Sequence, residues 1–82
     1  MARPPDLAIE VVSQHDRRTK VTAKAREWVA AGTTAVVVID PPNRTVTVFL
    51  GHDDVRVLHS DETLDLGDVV PGWSPRVADL FV

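Results

Sequence analysis

The stretch PPDLAIEVVS, which runs from Pro4 to Ser13, is apolar and β-branched, and it carries a single ionisable residue in its interior, Glu10. This composition predicts a β-strand over Ala8 to Val12. Both faces of the strand are largely apolar, which is typical of a strand covered on two sides. One face carries Leu7, Ile9 and Val11, and the other carries Ala8, Glu10 and Val12.

Glu10 is the residue in this strand that demands an explanation. A carboxylate removed from water without a partner costs several kcal/mol or changes its protonation state. Glu10 therefore needs a nearby cation or a position at the rim of the sheet. An acid in an apolar strand is more often a rim residue or a structural ion pair than a catalyst.

A helix and a second strand are predicted to follow. The segment from Ser13 to Asp16 is polar and turn-like, and Asp16 is a suitable helix N-cap. The helix is predicted to run to about Ala31 and to stop at Gly32. A second apolar strand is predicted over Ala35 to Ile39, and a strand, a crossover helix and a strand form a βαβ unit with parallel strands and a right-handed crossover. One apolar helix stripe is formed by Val21, Ala25, Trp28 and Val29.

The turn residues after Asp40 predict antiparallel pairing for the rest of the sheet. Turns at 40–43 and 51–54 separate strands predicted over Val46 to Leu50 and Val55 to His59. Near the C-terminus, Ser74 is predicted to cap a short helix that runs through Phe81. We expect Trp73, Leu80 and Phe81 to cover one sheet face, and we interpret Trp28 and Trp73 as core residues.

Length and composition predict one soluble domain over residues 1–82. The chain has no cysteine, which excludes disulfides and thiolate metal sites and favours a reducing, cytoplasmic location. It shows no signal peptide and no apolar run of about 18 residues, so no membrane span is expected. The net charge of −3 argues against a protein that coats nucleic acid by charge alone, although a local basic face remains open.

Lys24 is the candidate cation for Glu10. If the first strand runs up to Ser13 and the helix returns antiparallel beside it, Glu10 lies about 10 Å below the strand's end at ~3.3 Å per residue. Lys24 lies about 10 Å beyond Arg17 at ~1.5 Å per residue of helix, so the two side chains are expected to come level. The alternative is that Lys24 is one more solvated helix lysine. Arg17 and Lys20 lie on the same side and form either a solvated face or a set of phosphate contacts.

Several features together resemble the C-terminal half of the Uma2 family, which is similar to restriction endonucleases of the PD-(D/E)XK fold. They include PPDLAIEVVS, a lysine fourteen residues after its glutamate and an aromatic residue four further on. The pairs Ala31-Gly32 and Asp40-Pro41, the string Val-Pro-Gly-Trp at 70–73 and the Leu-Phe ending complete the resemblance, which covers essentially the whole chain.

The resemblance implies a restriction endonuclease-like α/β fold, in which a β-α-β-β-β mixed sheet carries one main helix and a short C-terminal helix. It also implies cleavage of DNA at a site that holds Mg²⁺ or Mn²⁺. Glu10 corresponds to the acid of the (D/E)XK element. Val12 stands where the common pattern has lysine, and Lys24 would supply the ammonium group from the helix instead.

The N-terminal half of the family, with its upstream acid, has no counterpart here. Asp6 lies about 13 Å from Glu10 along a straight strand, too far to share one ion, so we interpret it as a strand-mouth or turn residue. Missing strands would leave an exposed sheet edge, which predicts homo-oligomers. The alternative to a nuclease is a non-catalytic remnant or association module, and a truncated gene product or a misplaced gene start fits equally well. The histidines, His15, His52 and His59, show no ligand spacing and are interpreted as surface residues.

Overall fold

The computed structural model describes residues 6–12, 18–51 and 53–81. The predicted turn at Ser13 to Asp16, the Asp16 cap, His15 and His52 lie outside these ranges. The described elements are β1 (Leu7–Val11), α1 (Arg18–Ala30), β2 (Ala35–Asp40), β3 (Thr45–Phe49) and β4 (Val55–Leu58), followed by two 3₁₀ helices at Gly67–Val69 and Val77–Leu80.

The strands form one four-stranded sheet in the order β1-β2-β3-β4. β1 pairs with β2 in parallel, which places Glu10 beside Val38. β2 pairs with β3 and β3 with β4 in antiparallel fashion. This topology confirms the predicted mixed α/β sheet. Parallel neighbours require a long crossover between them, and α1 lies in that connection.

The end of α1 is determined by Gly32, as predicted. Gly32 has a φ of 105°, a left-handed conformation that glycine adopts without a Cβ clash. The N–H of Gly32 donates to the carbonyl of Val29 at 3.0 Å, and the N–H of Thr33 donates to the carbonyl of Trp28 at 3.1 Å. This pair of hydrogen bonds is the Schellman arrangement that closes helix C-termini.

The helix packs against one face of the sheet through its predicted apolar stripe. Val21 and Ala25 are buried, and Trp28 and Val29 pack beside them. Within the described part of the chain, no helix combines the length and the apolar character that crossing a membrane requires. The core on this helix side consists of Ala8, Val12, Val21, Ala25, Val36, Val38 and Phe49.

The opposite face is covered by the C-terminal segment. Trp73, Leu80 and Phe81 pack against this second cluster, as predicted, although its most buried covering residues are Leu64, Leu66 and Val77. The cluster on this side of the sheet consists of Ala35, Val37, Val46, Val48, Leu64, Leu66 and Val77.

The predicted Ser74 cap is wrong. The last 3₁₀ helix begins at Val77, its N-cap is Arg76, and no side chain caps it. The N–H of Val77 instead donates to the carbonyl of Glu62 at 2.9 Å, and the N–H of Leu64 donates to the carbonyl of Pro75 at 2.8 Å. The carbonyl of Glu62, in a distant segment, therefore accepts from the N–H of Val77, which a serine cap at position 74 would otherwise have bonded.

The prediction that β1 is covered on both faces is also wrong. Ile9 is 49% exposed and Val11 is 55% exposed, and both lie on the face opposite α1. Ala8 and Val12, on the helix side, are buried. The C-terminal segment buries residues of β2 and β3, but it leaves the second half of β1 uncovered.

Candidate active site

Glu10 lies on the helix-facing side of β1, between the buried residues Ala8 and Val12. Its side chain is 20% exposed. The carboxylate is therefore largely surrounded by protein but still reaches solvent. This position combines the two solutions expected from the sequence, a cation partner and a place near the rim.

Lys24 supplies the cation. Its Nζ lies 3.5 Å from Oε1 of Glu10, which confirms that the strand and the helix bring the two side chains level. The Lys24 side chain is 59% exposed, so water and salt screen this ion pair. Pairs of this kind contribute about 0.2 to 1 kcal/mol to stability. The ammonium group therefore retains access to solvent and to an incoming anion.

Trp28 is a second partner of Glu10 that the sequence analysis missed. Its indole Nε1 donates a hydrogen bond to Oε1 of Glu10 at 3.0 Å. Trp28 follows Lys24 by four residues, which places both side chains on the same helix face. The interpretation of Trp28 as a core residue is correct only in part, because the ring is half-buried and packs against the helix-side cluster, and its N–H group has a polar partner. The sequence could have indicated this hydrogen bond, because an indole N–H that is removed from water usually finds an acceptor.

The two partners of Glu10 share one oxygen atom. Both contacts are made to Oε1. Among the residues that the structure describes, none donates a hydrogen bond to Oε2. The carboxylate therefore presents one oxygen that is held by protein donors and another that is available to a ligand.

A depression of about 160 Å³ lies beside the ion pair. Lys20, which is exposed, lines it together with Glu10 and Lys24. The structure therefore places Lys20 beside the predicted site, with Val11 and Val21 completing the lining. Arg17, the other predicted phosphate contact, lies outside the described residues.

Asp6 does not join this group. It is exposed, it precedes β1, and its backbone carbonyl accepts a hydrogen bond from the N–H of Ala35 at 3.0 Å. Four residues of extended chain separate it from Glu10, which corresponds to about 13 Å. Its backbone thus contributes to the start of the β1–β2 pairing.

Asp40 is a buried acid at the end of β2, and its carboxylate contacts the following turn. Its Oδ1 accepts a hydrogen bond from the backbone N–H of Asn43 at 3.4 Å, and its Oδ2 accepts one from Nδ2 of the same residue at 3.0 Å. Both oxygens therefore hold the turn that the sequence predicted at 40–43.

Among the described residues at this position, Glu10 is the carboxylate that a metal ion could contact. Across 6–12, 18–51 and 53–81, no group of three or more His, Cys, Asp or Glu side chains could hold an ion. Mg²⁺ is often bound through one or two carboxylates, with waters and substrate phosphates completing six positions. Glu10 fits the role of a single carboxylate ligand because its Oε2 accepts no protein hydrogen bond in the described ranges.

Comparison with known proteins identifies a family and a structurally similar protein. The model of the Uma2 family, described as "Putative restriction endonuclease", matches residues 1–80. The chain is also similar to a crystal structure from Anabaena variabilis, described as a "putative nuclease belonging to DUF820", with 27% identity and a TM-score of 0.87. The similarity covers 98% of this chain but 45% of that one. No curated protein matches the sequence.

Proposed function

Because the chain belongs to the Uma2 family, we propose that its Glu10–Lys24 pair is part of a metal-dependent endonuclease site that hydrolyses phosphodiester bonds in DNA. The observation that carries the proposal is the distance of 3.5 Å between Nζ of Lys24 and Oε1 of Glu10, beside a depression that reaches solvent. A nuclease needs an anionic group to hold a metal ion and a cationic group near the scissile phosphate, and this pair supplies both.

In this proposal the Glu10 carboxylate would hold Mg²⁺ or Mn²⁺ through Oε2. When bound, the ion supplies a more acidic water and neutralises charge on the phosphate. Lys24 donates from its ammonium group to a phosphate oxygen or to the attacking water. Lys20 lines the same depression and contributes a further positive charge to the phosphate backbone.

Glu10 by itself is a weak metal site, and we propose that full activity requires groups beyond the described residues. This chain corresponds to 45% of the chain of the Anabaena variabilis nuclease-like structure. A further acid from another chain or segment would raise the affinity for the ion, because affinity rises with the number of charged ligands. We therefore expect metal binding to be easier to detect than DNA cleavage.

The test combines Mn²⁺ titration by calorimetry with a plasmid-nicking assay. Glu10→Gln keeps the shape of the side chain and the acceptor for Trp28 but removes the charge, and Lys24→Met keeps the apolar stem. We expect Glu10→Gln to abolish Mn²⁺ binding, and each variant to reduce any nicking at least ~100-fold. Asp54→Asn, which removes a carboxylate from an exposed pair with Arg56, is the control and should behave as wild type.

Two results would refute the proposal. One is a wild-type chain that does not bind Mn²⁺ at millimolar concentration. The other is a Glu10→Gln variant that binds Mn²⁺ as tightly as the wild type, because the ion would then lie elsewhere.

A second candidate function, an association module, is favoured by the β1 edge of the sheet, one of its two edges in the described residues. In the described residues β1 pairs with β2 on one side only. Such an edge presents free backbone groups to another chain, and the exposed Ile9 and Val11 add apolar surface to it. A second copy of this chain would cover both.

Sedimentation velocity tests the association module. If β1 mediates association, Ile9→Lys should shift the wild-type oligomer to the monomer. Val57→Lys changes a similarly exposed position on β4, the other edge strand, and should leave the oligomer unchanged. A shift to the monomer in Val57→Lys but not in Ile9→Lys would assign the contact to β4 instead. A wild-type chain that stays monomeric at ~100 µM would remove this candidate and leave the nuclease proposal untouched.

A further inference from the structure

Trp28 makes the shorter of the two contacts with Glu10, at 3.0 Å against 3.5 Å for Lys24. We propose that Trp28 is a positioning residue, whose indole N–H holds Oε1 of Glu10 so that Oε2 remains directed to the metal ion. This inference rests on the proposed function, since it assigns to Trp28 a role at the same site.

The exposure of Lys24 and the packing of Trp28 favour Trp28 as the residue that sets the orientation. Lys24 is largely exposed, and a lysine side chain has four rotatable bonds whose freedom is costly to restrict. Trp28 has two rotatable bonds, and its ring packs against the helix-side core. A donor attached to a packed ring keeps its place, whereas an exposed ammonium group moves among several positions.

The contact of both donors with one oxygen of Glu10 leaves the other oxygen for a metal ion. Carboxylates that bind metal ions are usually oriented by hydrogen bonds from neighbouring groups, and these neighbours affect metal affinity. Because Trp28 and Lys24 both contact Oε1, they both leave the other oxygen, Oε2, for the ion. A donor on Oε2 would compete with the metal directly.

Trp28 also frees Lys24 for the substrate. When Lys24 moves towards a phosphate, Glu10 loses the charge that compensates its burial. The indole hydrogen bond remains, so the carboxylate keeps one protein donor throughout. These separate roles predict that loss of the indole N–H weakens metal binding, whereas loss of Lys24 chiefly weakens the contact with the phosphate.

The experiment compares Mn²⁺ affinity, measured by calorimetry, in the wild type and in variants at position 28. Trp28→Phe removes the N–H and part of the ring. Replacement of Trp28 by 3-benzothienylalanine exchanges only the N–H for sulfur and so preserves the packing. We expect both to bind Mn²⁺ about 10-fold more weakly than the wild type. Trp73→Phe, on the opposite face of the sheet, is the control and should bind as the wild type does.

A second measurement needs no metal. The indole N–H resonance of Trp28, identified by its loss in Trp28→Phe, should exchange with solvent several-fold faster in Glu10→Ala than in the wild type. The resonance of Trp73 should not change. A merely apolar role for Trp28 would leave its exchange rate independent of Glu10.

The outcomes separate the inference from the proposed function. Wild-type affinity in the benzothienylalanine protein would overturn the role of Trp28 while the metal site stands. An unchanged indole exchange rate in Glu10→Ala would do the same. A wild-type chain that binds no Mn²⁺ would refute the proposed function, and the positioning role would fall with it.

Discussion

The contact between Glu10 and Lys24 can be tested without DNA or metal, by a double-mutant cycle on stability. Glu10→Gln and Lys24→Met each remove one charge and keep most of the side-chain volume. The coupling free energy of the cycle isolates the interaction between the two charges, because effects of each substitution on other neighbours cancel.

The distance and the exposure set the expected magnitude. Two unit charges 3.5 Å apart interact by about 1.2 kcal/mol at a dielectric constant of ~80, and by about 4.7 kcal/mol at ~20. The Lys24 side chain is 59% exposed, so the lower figure applies, and the cost of ordering the lysine reduces it further. We expect a coupling of about 0.5 to 1 kcal/mol, which corresponds to a shift of roughly 2 to 8 °C in Tm.

The assay is urea denaturation of the wild type, the two single variants and the double variant, at ~0.05 M and ~1 M NaCl. The coupling should fall at high salt, where the Debye length is about 3 Å. The matched control is the cycle of Asp54→Asn with Arg56→Met, whose atoms lie 3.2 Å apart. Both of its side chains are well exposed, so we expect a coupling below about 0.5 kcal/mol.

A coupling of zero within error at low salt would refute the reasoning, because the ion pair would then not exist in solution. A coupling above about 3 kcal/mol that does not respond to salt would refute it differently. That result would mean that both charges are desolvated, so that Lys24 would not be available to a phosphate.

Two further predictions concern the cover of the opposite sheet face. Leu64→Ala should reduce the free energy of unfolding by about 2 to 5 kcal/mol, because Leu64 is fully buried. Val57→Ala, at an exposed position, should reduce it by less than about 1 kcal/mol. Urea denaturation measures both, and equal losses would contradict the described core. Ser74→Ala should change stability by less than about 0.5 kcal/mol, because the last 3₁₀ helix has no side-chain cap, and a loss near 1 kcal/mol in the same assay would restore Ser74 as a capping residue.

Local patterns were sufficient where neighbouring residues decide the conformation. The apolar stripe through Val21 and Ala25 predicted which side of α1 packs on the sheet. Gly32 predicted the helix end, because a left-handed backbone conformation favours glycine wherever it occurs. The turn after Asp40 was also predicted from the sequence, since aspartate, proline and asparagine favour turns through their own backbone and side-chain geometry.

Local patterns failed where a distant segment decides the outcome. Ser74 has the chemistry of a cap, but the backbone near it pairs with the chain around Glu62. Ile9 and Val11 have the composition of buried strand residues. They are exposed because the C-terminal segment ends its cover over β2 and β3, and no local pattern encodes how far that cover extends.

Within the site, residue spacing predicted that Glu10 and Lys24 come level, since the rise per residue of a strand and of a helix is constant. It did not predict the indole hydrogen bond of Trp28. That bond depends on the rotation of α1 about its axis and on one side-chain rotamer, and both are selected by packing against the core.

The sequence by itself therefore determined the βαβ unit, the two hairpins and the acid and ammonium group that meet, because short-range periodicity and constant rise per residue govern these features. The tertiary structure alone decided which faces of the sheet are covered and which oxygen of Glu10 is held by protein donors. These properties depend on contacts between residues far apart in the chain, and only packing selects among the arrangements that the local patterns allow.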